Sequence, residues 1–98
     1  MRYDFEWNVI KAKGNLVKHN VSFEKATTIF RDPNLLSIPD LEHSDIEERW
    51  ITLGIDADGN LLVLVHTFET LGDKVSRIRI ISARKATATE RQEYERGI

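Results

Sequence analysis

Residues 77–80, Arg-Ile-Arg-Ile, carry the clearest chemical signal in the chain. A cation alternating with a β-branched residue reads as a strand with one cationic and one apolar face. Arg77 and Arg79 then emerge side by side. Two forked guanidiniums on a rigid element suit the geometry of a phosphate. Arg84 and Lys85 follow where the strand ends, and Thr87-Ala88-Thr89-Glu90 fits a capping box that opens a helix. A basic turn leading into a helix N-terminus is a second place to hold phosphate. A polyanion is therefore the first partner to consider.

Were that polyanion RNA, which carries its own nucleophile in the 2′-OH, metal-free cleavage would need a base for the 2′-OH proton, cations for the charge that develops on phosphorus, and a proton for the leaving 5′-oxygen. Arg77 and Arg79 supply the cations; the opposing reading is a solvated pair of arginines neutralised by acids. His66, near the end of an apolar strand, is a candidate for proton transfer, or else a strand histidine at a core edge. His19 at a helix end is read as a charge facing the helix dipole. Lys11, Asn15 and Lys18 share one helix face and are candidates for contacts along the RNA backbone, or a solvated face. Arg49, the only base in an acidic stretch, either completes the cationic cluster or pairs with Glu47 or Glu48. Trp7, Trp50 and Tyr94 read as packing residues. No cysteine is present, and no spacing suits a metal site or cofactor loop.

The elements that must position these residues are legible from pattern. Tyr3–Trp7 alternates as a short strand, and Asn8 caps a first helix to about His19, ended by Asn20. Ser22 caps a second helix carrying Phe23, Ala26 and Phe30, which Asp32-Pro33-Asn34 stops. Leu35–Ile38 is a candidate short strand, and Ser44 to Glu48 a polar loop. Arg49–Ile55 and Leu61–Thr67 read as strands joined by the turn Asp56-Ala57-Asp58-Gly59-Asn60. The Arg/Ile strand follows a loop over residues 69–74, and a last helix runs from Thr87 to about Arg96. The predicted class is α+β: an antiparallel sheet of about four strands, two N-terminal helices on one face and a C-terminal helix. Arg77 and Arg79 are expected on the other, partly open face, because Ile78 and Ile80 are needed in the core.

Ninety-eight residues fit a single domain spanning residues 1–98. No run reaches the ~20 apolar residues of a membrane span. No signal peptide is read at the start, and the lack of cysteine fits a cytoplasmic protein. The net charge of −2 hides an asymmetry. Residues 32–60 hold Asp32, Asp40, Glu42, Asp45, Glu47, Glu48, Asp56 and Asp58 against Arg49 alone. Residues 74–85 hold Lys74, Arg77, Arg79, Arg84 and Lys85 and no acid. Local field outweighs net charge in docking an anion.

Taken in order, Phe5-Glu6-Trp7, Lys11, Asn15-Leu16, Lys18-His19, Val21-Ser22-Phe23-Glu24, Ala26 and Phe30-x-Asp32-Pro33 resemble the opening of the BrnT toxin family. His43, Glu48-Arg49, Gly54 and Leu62–Thr67 continue the resemblance, and Arg77–Ala86, Glu90-Arg91 and Tyr94 close it. Asn8-Val9 departs from the Asp-Pro or Asp-Glu of many relatives. The resemblance implies a RelE-like, barnase-like fold and the toxin of a bacterial type II toxin–antitoxin pair, an endoribonuclease that needs no cofactor and stops growth. It also implies a BrnA-like ribbon-helix-helix antitoxin, through which the complex would bind operator DNA. On this reading the expected catalytic set is Arg77, Arg79 and His66, with Lys11, Lys18, Arg49, Arg84 and Lys85 on the RNA backbone. The rival reading is a non-catalytic module that binds nucleic acid or an acidic protein segment with the basic strand face.

Overall fold

A computed structural model describes residues 2–43 and 47–97. Residues 44–46, part of the expected polar loop, lie outside the described residues. The elements are β1 (Arg2–Glu6), α1 (Val9–His19), α2 (Phe23–Ala26), β2 (Leu36–Pro39), β3 (Arg49–Ile55), β4 (Leu61–Thr67), β5 (Glu69–Thr70), β6 (Val75–Lys85) and α3 (Ala88–Arg96). Short 3₁₀ turns cover Thr27–Arg31 and Leu41–His43.

Local chemistry explains the helix ends. The Asn8 side chain accepts from the amides of Ile10 and Lys11, and Asn20 ends α1 in the left-handed conformation at φ 57°. Ser22 accepts from the Lys25 amide. Thr87 and Glu90 form the reciprocal capping box.

The sheet corrects the sequence-based expectation. It has six strands, not about four, in the order β1-β6-β4-β3-β2, with β5 also on β6. It is mixed, because β1 runs parallel to β6 while the other pairs are antiparallel. The hairpin to β4 occupies one side of β6; β1 covers the other and leaves by α1, which crosses back over the sheet. The second N-terminal helix is also shorter than expected: α2 is one α-helical turn that tightens into 3₁₀ geometry over Thr27–Arg31. Asp32 ends it, accepting from the amides of Asn34 and Ile55.

Register assigns side chains to faces. Leu62, Leu64 and His66 share one face with Ile78, Ile80 and Ala83, and there Phe23, Ala26 and Ile29 close the main core. On the opposite face Leu53, Leu61 and Val63 form a second cluster, covered by Tyr94 of α3. An irregularity in the β4–β6 ladder lets Val65 face Ser82 and His66 face Ile80, so Ile81 is the extra residue of a bulge. The bulge reverses parity, placing Arg84 on the same face as Arg77 and Arg79.

Gly54 marks a close approach. A Cβ there would lie 2.9 Å from Ile29 Cβ and 3.2 Å from the Ile29 carbonyl oxygen. The 3₁₀ turn rests directly on β3 backbone, so neither contact is a flexible tip that can swing away. Gly54→Ala is expected to lower unfolding free energy by about 1–3 kcal/mol, measured by urea denaturation at unchanged m-value.

Candidate active site

Arg77 and Arg79 lie on the face not covered by α1 and α2, at the end of β6 remote from α3. Their neighbours are set by register. Parallel pairing puts Glu6 of β1 opposite Arg79, and antiparallel pairing puts Glu69 of β5 opposite Arg77. On β3, Arg49 faces Thr67 across the ladder. Together Glu6, Glu47, Glu48, Thr67, Phe68, Glu69, Arg77 and Arg79 line an open concavity of about 570 Å³.

The ion pairs in it are unequal. Arg77 stands 3.9 Å from Glu6 and 4.0 Å from Glu69, longer than a charge-assisted hydrogen bond of ~2.7–2.9 Å. Its side chain is 45% exposed, so these contacts hold it loosely. Arg79 instead donates directly to the Glu47 carboxylate through Nη2. The same Glu47 oxygen lies 3.9 Å from Arg49 Nη2. A single carboxylate thus sits between two guanidiniums, where a phosphate oxygen would make the same contacts. The backbone amide of Arg79 donates to Thr67 Oγ1 at 3.2 Å, which fixes the strand where β4 gives way to β5.

Arg49 is the one expected phosphate-binding residue that joins Arg77 and Arg79. Lys11 and Lys18 are exposed on α1, on the helical side of the sheet. Asn15, read with them as one face, is buried. Its carboxamide donates to the Val21 and Ala83 carbonyls and accepts from the Ala83 amide, locking α1 onto β6.

Arg84 and Lys85 stand five or more residues beyond Arg79, roughly 15–20 Å at the rise of a strand. The guanidinium of Arg84 makes two 2.8 Å bonds to the Glu90 carboxylate of the capping box. Those bonds pull the Glu90 carboxyl down to about 2, against the opposing effect of burial. Lys85 faces the helical side, beside Asp56 and Asp58.

His66 is separated from the arginines by the sheet itself. It is 1% exposed, on the helical face, edge-on to Phe30 at 5.2 Å. Nδ1 lies 2.8 Å from the Thr67 carbonyl oxygen and must donate to it. Nε2 lies 2.6 Å from Thr52 Oγ1, which in turn is 2.5 Å from Ser37 Oγ. Burial pushes the His66 pKa below its ordinary 6.5, only partly opposed by the Thr67 bond. A folded value below the unfolded one means that the unfolded chain binds the proton more readily. The stability contribution is complete above pH 6.5 and is lost as pH falls through 6.5 toward the folded value. Denaturant unfolding at pH 7.5 and 5.5 is expected to show this loss, and His66→Gln to flatten it.

Sequence reasoning did not single out Glu6, Glu47 and Glu69 as parts of one site. Glu6 and Glu69 alternate on short strands, but only long-range pairing places them beside the arginines. Among the described residues no group of three or more His, Cys, Asp or Glu side chains converges as a metal site. Among them, too, no helix is long and apolar enough to cross a membrane.

The arrangement offers cations for a phosphate and carboxylates for a proton in one solvent-open concavity. No curated protein matches the chain. A family model described as "Ribonuclease toxin, BrnT, of type II toxin-antitoxin system" matches residues 7–90, which include Glu47, Arg49, Glu69, Arg77 and Arg79. The chain belongs to this BrnT family of ribonuclease toxins.

Proposed function

We propose that the protein is a metal-independent endoribonuclease that inhibits growth in the cytoplasm until a BrnA-like ribbon-helix-helix antitoxin neutralises it. Arg77 and Arg79 hold the scissile phosphate and Arg49 assists. The observation that carries this reading is the position of Glu47, whose carboxylate already occupies the anion site between Arg79 and Arg49.

An incoming phosphate replaces Glu47 as the partner of these guanidiniums. The displaced carboxylate then takes the proton from the 2′-OH. The 2′-oxygen attacks phosphorus, the guanidiniums stabilise the added negative charge, and the P–O5′ bond breaks. The departing 5′-oxygen takes its proton from water, which reaches this open concavity. The products are a 2′,3′-cyclic phosphate and a 5′-hydroxyl. His66, on the other face, organises the core and takes no part in the proton transfers at the arginine site. Lys11 and Lys18 are assigned to solvent and Arg84 to the Glu90 cap.

The test is cleavage of a defined RNA by purified, partner-free protein in excess EDTA, with the ends of the products identified. Cutting that leaves cyclic phosphate ends supports the mechanism. The rival, a binding module, gains from the carboxylates that neutralise the arginines; intact RNA after incubation with folded protein would favour it. Recovery of the complex with its antitoxin, and binding of that complex to operator DNA, tests the partner.

A further inference from the structure

Phe68 belongs to two cavities. It sits where β4 leaves the β6 ladder after His66 and β5 rejoins it at Glu69. One wall of the arginine concavity is Phe68, and the same residue lines a second cavity of about 240 Å³ on the helical side of the sheet. That second cavity is built from aromatic rings: Tyr3, Phe30, Trp50 and Phe68, with His66 and Ser37 as its polar members. Its volume falls below the roughly 300–1,000 Å³ of drug-sized sites, which suits a single planar ring system. Base–aromatic stacking is the usual way a protein holds an unpaired nucleobase.

The polar groups have a fixed direction. Because His66 Nδ1 must donate to the Thr67 carbonyl, neutral His66 accepts at Nε2 from the Thr52 hydroxyl. Thr52 Oγ1 then accepts from the Ser37 hydroxyl. The exposed Ser37 has given its proton inward and offers the cavity only lone pairs. Such a group bonds an N–H donor and not a carbonyl.

We infer that this aromatic cavity receives a nucleobase adjoining the phosphate held by Arg77 and Arg79, with an N–H of the base donating to Ser37 Oγ. The inference rests on the ribonuclease reading for its substrate class. It makes Phe68 the divider between phosphate and base, and Ser37 a base-positioning residue outside the cleavage chemistry.

The probes are short 2′-O-methyl oligoribonucleotides, which resist attack by the 2′-oxygen. Chains of uracil, of N3-methyluracil and of abasic residues are titrated against the full-length protein by fluorescence anisotropy at one salt concentration. The uracil chain, which has an N3–H donor, is expected to bind about 3- to 10-fold more tightly than the N3-methyluracil chain, which has none, the worth of one hydrogen bond. The abasic chain is expected to lose about 5- to 100-fold, the worth of stacking. Ser37→Ala should erase the preference for uracil over N3-methyluracil and leave the abasic deficit. Phe68→Ala should bring every chain to the abasic level, and Phe68→Leu serves if the smaller residue does not fold. Equal binding of based and abasic chains, or a preference unchanged by Ser37→Ala, overturns the inference. Cleavage of unmodified RNA is scored separately. Native protein that binds with this preference but never cuts supports the cavity and defeats the nuclease reading. Protein that cuts but is indifferent to the base defeats the cavity alone.

Discussion

Replacing Arg77 and Arg79 together by alanine is expected to abolish measurable RNA cleavage, with a loss of at least about 10²–10³-fold, while the protein remains folded. Both parts of this result follow from where the side chains lie. Neither guanidinium contributes to the two apolar clusters, which are built from the other face of β6 and from β3 and β4. Their ion pairs are partly exposed and so add little to stability. The strand itself is held by ladders on both sides, which do not depend on these side chains. Single-turnover cleavage, with urea unfolding of the same samples, measures rate and fold together. Retained cleavage by the folded double variant would remove these residues from the mechanism. Lysine at both positions is expected to restore binding more than rate, because an ammonium keeps the charge without the planar fork.

Much of this fold can be read from local sequence because local chemistry sets it. Asn8, Asn20, Ser22 and the Thr87–Glu90 box mark the helix ends, and the strands Arg49–Ile55 and Leu61–Thr67 follow from β-branched runs around a Gly-containing turn. The alternation of Arg77, Ile78, Arg79 and Ile80 tells which pair faces outward. What is lost is everything that depends on distant pairing. The parallel seating of β1 has no local signal, yet it alone brings Glu6 to Arg79. The doubled Ile80-Ile81 is the only hint of the bulge that returns Arg84 to the arginine face.

His66 shows the same limit at the site. Its parity is legible, opposite to Val63 and Val65. Since β4 is buried on both sides, however, parity alone does not say which face carries the helices. The register with β6 decides it, and sends His66 into the core. Glu47 is legible in the sequence only as a salt-bridge partner for Arg49, for a related reason: an acid in an acidic stretch gives no sign of a second, distant guanidinium until the fold brings Arg79 to it.

Glu47→Gln separates the two roles that the geometry gives this residue. The carboxylate competes with phosphate for Arg79 and Arg49, so its removal frees the anion site. An amide keeps the size and one acceptor oxygen but carries no charge, and Gln cannot take up the 2′-OH proton. Binding of an uncleavable RNA analogue is therefore expected to tighten, while the single-turnover rate falls by about 10²–10⁴-fold. The opposite signs make the result diagnostic. A carboxylate that only braced Arg79 would, on removal, weaken binding and rate together. One that only blocked the site would, on removal, raise both. Tighter binding with slower cutting is the outcome expected of a group that guards the phosphate site when empty and acts as base once phosphate has displaced it.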